Sequence, residues 1–260
     1  MTVSGAIVRL TSISAAPALA VVLTATAAPA GAVAADGPLY GAPTKGACTT
    51  LTADQAAATV DHSTVVDCTA AHSAKVIGVH RLPDGVGYGK KDATRRYRVV
   101  AATCHARLAT ALGRDNPTRD SSAYSWVFFV PTKADRSHGA RWISCSVVLR
   151  NGHRLADLPT DQVPMLPDGS LGKGVARCLL ARTDAAYTTR CSSAHGWRAT
   201  GTFTVSSRTY PGARVLDQKA VRRCAGKVLS HRKYRWTYHL KTDWEAGRDH
   251  VVVCYSRTTD

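Results

Sequence analysis

The sequence predicts an α+β fold of two small disulfide-stapled domains, each roughly β-β-α-β-β, and three observations predict it. Eight cysteines fall into two ordered sets of four, Cys48, Cys68, Cys104, Cys145 and then Cys178, Cys191, Cys224, Cys254. The segment Cys68-Thr-Ala-Ala-His72-Ser-Ala-Lys75-Val-Ile-Gly78 returns as Cys191-Ser-Ser-Ala-His195-Gly-Trp-Arg198-Ala-Thr-Gly201, with cysteine, Ala-His, a base and a glycine at identical spacing. In each set the third cysteine lies in a helical stretch, and two apolar runs follow it. Self-similarity of this kind is the signature of a duplicated unit.

Residues 1–35 read as a signal peptide. They hold one base, Arg9, and no acid, and the alanine-rich stretch from Ala15 to Leu23 leads to Ala32-Val33-Ala34-Ala35. That small-x-small ending suits cleavage after Ala34 or Ala35. Pro17, Thr24, Thr26 and Pro29 interrupt the run of about 20 apolar residues that a membrane span needs. The expected location is therefore secreted, in the extracellular cell envelope. In that oxidising compartment an even set of cysteines is a disulfide framework before it is a metal site.

The first domain is expected over residues 45–150. Val65-Val66-Asp67-Cys68 and Lys75 to Val79 read as strands on either side of the Cys-x3-His turn. Tyr97 to Leu112 reads as a helix carrying Cys104, stopped by Gly113. Trp126 to Val130 and Trp142 to Leu149 close the unit. Residues 151–172, with Pro159, Pro164 and Pro167, read as a linker. The second copy spans 173–257: Phe203 to Val205 extends the equivalent strand, and Asp217 is a candidate cap for a helix from Gln218 to Ser230 that carries Cys224. Trp236 to Leu240 and His250 to Tyr255 are its closing strands. Tyr124-Ser-Trp126 precedes Cys145 as Tyr234-Arg-Trp236 precedes Cys254, and Gly139 and Gly247 recur between them. Four cysteines allow three pairings per domain; the local one is favoured, Cys48 with Cys68, Cys104 with Cys145, Cys178 with Cys191 and Cys224 with Cys254.

The Cys-x3-His element lacks the second ligand cluster a structural zinc site needs, and eight paired sulfurs leave no thiolate nucleophile. His72 and His195 are read as structural turn histidines whose rings bond nearby backbone. The acids form no recognisable carboxylate pair across the copies, and no Gly-rich phosphate loop, nucleophile elbow or His-Glu-x2-His occurs. No catalytic residue, cofactor site or metal site is assigned. The charge is +16, and it is uneven: residues 36–150 hold 15 bases and 9 acids, while residues 173–260 hold 17 bases and 6 acids. Arg222, Arg223, Lys227, Arg232, Lys233, Arg235 and Lys241 fall in a stretch without acids, interleaved with Tyr234, Trp236 and Tyr238. A helix plus strand presenting them as one cationic face would suit an anionic wall polymer or membrane surface. Nucleic acid is the weaker target, because an exported protein meets wall phosphates and lipid head groups first.

These features resemble the septum formation domain family, found in exported or membrane-tethered envelope proteins of high-GC Gram-positive bacteria. Gly46-Ala-Cys48, Val65-Val66-Asp67-Cys68 with His72, Cys104, and Gly139-Ala-Arg141 leading to Cys145 carry the resemblance in the first copy. Cys178, Cys191 with His195, Cys224, and Trp244-Glu-Ala-Gly247-Arg248 leading to Cys254 carry it in the second. Lys75 and Arg198 stand where the family commonly has an acid, and the second copy lacks the Gly-x-Cys opening. The resemblance implies an exported envelope protein linked to septum formation and cell division, with an envelope or divisome protein as a further partner and no established enzymatic activity. The resulting expectation is a non-catalytic binding or scaffolding module. Its rival is a wall-modifying enzyme with an active site between the copies, which a pocket lined by acids of raised pKa would favour.

Overall fold

Two runs, Trp142–Asn151 and Val251–Arg257, are buried at nearly every position rather than at alternate ones, which is the pattern of a strand covered on both faces. Each is a central strand of one of two antiparallel sheets. The computed structural model describes residues 36–159, 162–181, 186–229, 233–247 and 249–258. The proposed signal peptide and its cleavage site at Ala34 or Ala35 lie outside the described residues, which all belong to one compact unit. Among them, no helix is long and apolar enough to cross a membrane.

The first half contains β1 (Cys48–Thr50), α1 (Ala53–Ala57), β2 (Thr64–Val66), β3 (Ala74–Arg81), α2 (Ala93–Leu112), α3 (Asn116–Asp120), β4 (Tyr124–Phe129), α4 (Lys133–Ser137), β5 (Trp142–Asn151) and β6 (Arg154–Ala156). The second contains β7 (Arg177–Ala181), β8 (Ala186–Arg190), β9 (Trp197–Thr204), α5 (Ala213–Cys224), β10 (Tyr234–Tyr238), α6 (Lys241–Gly247) and β11 (Val251–Arg257). The sheet orders are β2-β1-β3-β5-β4 and β8-β7-β9-β11-β10, so the duplication seen in the sequence is repeated strand for strand. The fold is α+β. Each half is β-β-β-α-β-β rather than β-β-α-β-β, because the first cysteine of each set stands on a short strand, β1 or β7, whose few residues give no readable alternation.

Both halves carry the same two cross-links. Cys48–Cys68 and Cys178–Cys191 join the first strand to the turn after the second, while Cys104–Cys145 and Cys224–Cys254 join helix to central strand. Closing loops of 13 to 41 residues in the unfolded chain stabilises the fold by about 3–4 kcal/mol per bridge in the chain-entropy account. The repeated glycine is explained at the second kind of bridge. Gly78 pairs with Cys145 and Gly201 with Cys254, where the helical segment lies against the sheet. A Cβ at Gly78 would meet Arg107 Cγ at 2.9 Å, and one at Gly201 would meet Lys227 Cβ at 2.8 Å. Arg107 and Lys227 each stand three residues after the helical cysteine.

Two boundaries differ from the sequence reading. The second helix runs over Ala213–Cys224 with Gly212 at its start, so Asp217 lies inside it and does not cap it. Its carboxylate instead accepts from Trp236 Nε1 (2.8 Å) and the Tyr238 hydroxyl (3.1 Å), which pins β10 onto the helix. The expected end at Ser230 lies outside the described residues. The segment 151–172 is more than a linker: β6 pairs with β5, Leu158, Met165 and Leu166 are buried in the first core, and the Met165 amide donates to the Ala111 carbonyl at 2.9 Å. Its apolar residues outweigh its prolines.

Candidate functional site

The halves dock by exchanging helices. From the second half, α6 lies along α2, and from the first half, α3 packs against β9 and β11. The approach of α6 to α2 is close enough that a Cβ at Gly247 would collide with the His105 ring. The short polar turn at α3 starts from Asp115, whose side chain accepts from the Thr118 amide, and Pro117 stands in its first turn. It ends by placing Asp120 against the second half. There the Arg177 amide donates to the Ser121 carbonyl and Arg177 Nη1 to the Asp120 carbonyl, both at 2.8 Å.

A cavity of about 670 Å³ opens along this seam, lined by Asp120, Tyr124 and Trp126 of the first half and by Arg177, His239 and Asp249 of the second, with His105 at its wall. His239 Nε2 lies 3.1 Å from one Asp120 oxygen and 3.3 Å from the other, and 3.9 Å from Asp249 Oδ2. The His239 and His105 rings meet edge to face at 5.3 Å, and His105 Nε2 lies 3.7 Å from Asp243 Oδ1. Asp243 also accepts from the Tyr97 hydroxyl at 3.2 Å. Every one of these pairs except His239 with Asp249 joins the two halves or the two histidines across the seam.

The electrostatics separate the acids. Burial would raise Asp120, but the hydrogen bond and charge of His239, with Arg177 beyond, hold its carboxyl below the usual range. Asp249 is pushed up, first by burial and then by the charge of Asp120. Burial works against a charged His239, yet the bond to Asp120 raises it. Asp243 resists its own burial through His105 and is held low, and the Tyr97 hydroxyl, buried beside it, is pushed up to about 12. Two neighbouring carboxyls with opposed shifts are an arrangement able to hold a proton, a cation or a charged ligand.

The second region is a groove of about 640 Å³ beside α5, lined by Lys219, Arg222 and Arg223, by Ser206 and Ser207, and, among the described residues, by no acid. Arg223 stacks over Phe203 at 5.1 Å and donates to the Thr204 carbonyl. The sequence-derived basic cluster is only partly assembled here. Arg222 and Arg223 share the groove with Lys219, which the sequence reading left out. Arg235 stands over Trp197 at 4.9 Å on the opposite face of the sheet, because strand residues alternate and Tyr234 and Trp236 take the helix side. Lys227 is held beside Gly201, Lys233 is exposed before β10, and Lys241 begins α6. Arg232 lies outside the described residues. Among the described residues, these side chains do not build a single face from one helix and one strand.

The paired histidines do what turn histidines do. His72 Nδ1 bonds the Ala70 carbonyl at 2.8 Å and His195 Nδ1 the Ser193 carbonyl at 2.7 Å, two residues back in each case. The seam cluster, by contrast, escaped the sequence reading. Asp120 and His239 are 119 residues apart, and nothing local marks either; the available signal was an acid and two histidines placed beside the repeated Tyr-x-Trp and cysteine positions.

No curated protein and no solved structure matches the chain. The family model described as septum formation matches residues 85–254, a range that runs from the loop before α2 through both halves to the last cysteine and takes in every residue of the seam cluster. With well over half of its length inside that match, the chain belongs to the septum formation family, which marks it as a cell-division-related envelope protein.

Proposed function

We propose that the protein is an exported, non-catalytic module that binds phosphate-bearing wall polymer near the septum through the α5 groove. The observation carrying this reading is the convergence of Lys219, Arg222 and Arg223 with two serine hydroxyls in a concavity with no carboxylate among its described lining residues. Guanidinium groups suit planar, bidentate recognition of phosphate oxygens, and a polyanion offers many such contacts at low individual strength. The positive excess of the second half draws such a polymer toward that side from a distance of about 10 Å at 0.1 M salt. An envelope or divisome protein partner remains compatible with the same surface.

The test is retention of the mature protein on immobilised polyphosphate and, in a separate arm, on anionic lipid vesicles, across a salt series. The triple change Lys219→Glu, Arg222→Glu, Arg223→Glu is expected to abolish polymer retention, and wild-type retention should fall steeply with salt. Unchanged retention of the triple variant would sink the reading, and retention on vesicles alone would move the ligand from wall to membrane. The seam supports a second reading as a wall-modifying enzyme, because Asp249 is raised beside an Asp120 held low, which is how one carboxyl acts as acid and the other as base. Solubilisation of peptidoglycan by the wild type and not by Asp249→Asn would favour it.

A further inference from the structure

We propose that Asp120, His239 and Asp249 bind one divalent transition ion of the zinc type, which clips the two halves together across the seam. One ligand atom from each residue can be chosen so that all three lie within 4.8 Å of one another. A zinc ion with bonds of about 2.0–2.2 Å in tetrahedral geometry holds its ligand atoms about 3.3–3.6 Å apart. His239 Nε2 stands 3.1 Å from Asp120 and 3.9 Å from Asp249, within about 0.5 Å of that spacing on either side. Three protein ligands leave a further position for water or for an incoming oxygen. The donor set selects the metal: calcium and magnesium want oxygen throughout, whereas an imidazole nitrogen with carboxylates suits zinc and its neighbours.

Two further observations point to a missing polar partner in this cavity. His105 Nε2 and the Tyr124 hydroxyl are buried with no hydrogen-bond partner, Tyr124 is 4% exposed, and both residues line the same cavity as the three ligands. Native proteins rarely leave such atoms unpaired, and a water on the ion's open position would serve them. The local charge also favours a cation. Asp120, Asp243 and Asp249 gather here against Arg177, in a chain that is otherwise strongly basic. Because Asp120 comes from the first half and His239 and Asp249 from the second, the ion would act between halves as the disulfides act within them. The site shares no residue with the α5 groove, so it stands whether or not that groove binds a polymer.

The experiment is calorimetric titration of the metal-stripped, disulfide-intact protein with zinc chloride, alongside its melting temperature with and without zinc. One zinc per chain is expected, with an affinity lowered at least tenfold in Asp249→Asn and lost in His239→Gln, and with a zinc-dependent rise in Tm that those variants lack. His153→Gln, whose exposed ring packs on Tyr187 and lines no part of the cavity, should leave both readouts unchanged. Circular dichroism of Asp249→Asn, which keeps the side-chain shape, separates a lost site from a lost fold. The proposal is overturned by no binding up to millimolar zinc, by binding that His239→Gln leaves intact, or by magnesium or calcium binding as tightly as zinc.

Discussion

The two halves share a sheet order, a pair of cross-links and a glycine under the helix, yet their helices face different surroundings. In the first half α2 has 20 residues, and its outer side is covered by α6 and walled into the seam cavity. In the second half α5 has 12 residues, and its outer side carries Arg222, Arg223 and the half-exposed Val221 in the open. The difference teaches that duplication preserved the part of the unit that stabilises itself and released the part that faces outward. One copy turned that face into an interface with its twin, and the other kept it as a basic surface.

The comparison can be broken most forcefully at the helix-to-strand bridges. Replacing Cys104 and Cys145 by alanine, or Cys224 and Cys254, should each cost about 4 kcal/mol or more from loop entropy and the emptied volume, read by urea unfolding. The loops enclose 41 and 30 residues, so the two losses should agree to within about 0.5 kcal/mol if the halves are equivalent frameworks. A much larger asymmetry would show that one half is stabilised mainly by the other.

A mid-sized effect is expected at the seam. Gly247→Ala places a methyl into the His105 ring and should lower stability by about 1–3 kcal/mol, whereas Gly226→Ala, at a position with nothing within 4 Å, should change it far less. Thermal unfolding of the two variants side by side reads the difference directly, and equal Tm values would mean that the halves are held loosely.

The smallest expected effect concerns alkaline pH. Burial pushes the hydroxyls of Tyr88, Tyr97 and Tyr124 in the first half, and of Tyr238 in the second, up to about 12. A tyrosine raised in the folded state favours folding fully below its unfolded pKa near 10, and that contribution is lost as pH rises toward 12, because only the unfolded chain ionises readily. Stability should therefore fall between pH 10 and 12. Tyr124→Phe should flatten that fall in urea midpoints, and a variant with the wild-type slope would show that Tyr124 does not titrate as its burial requires.

Much of the framework is legible in the sequence alone. The Cys-x3-His repeat, the helix stop at Gly113 and the apolar closing runs are local patterns, each complete within a window of about ten to twenty residues. The start of α5 was misread because Asp217 has the chemistry of a cap, and only the docking of β10 shows that its oxygen is taken by Trp236 and Tyr238. The basic cluster divides for a related reason. Its members adjoin in sequence, but alternation along β10 sends Arg235 to one face of the sheet and Trp236 to the other.

The sequence by itself determined the duplication, the helix and closing strand that carry the second bridge of each half, the α+β class and the heavier positive charge of the second half, since spacing and composition are properties of the chain alone. Tertiary structure decided which helix face is covered and which stays open, and it brought Asp120, His239 and Asp249 together. Those residues meet because two copies of one unit dock by exchanging α3 and α6, and contacts between copies obey shape and charge complementarity, which no spacing within either copy records.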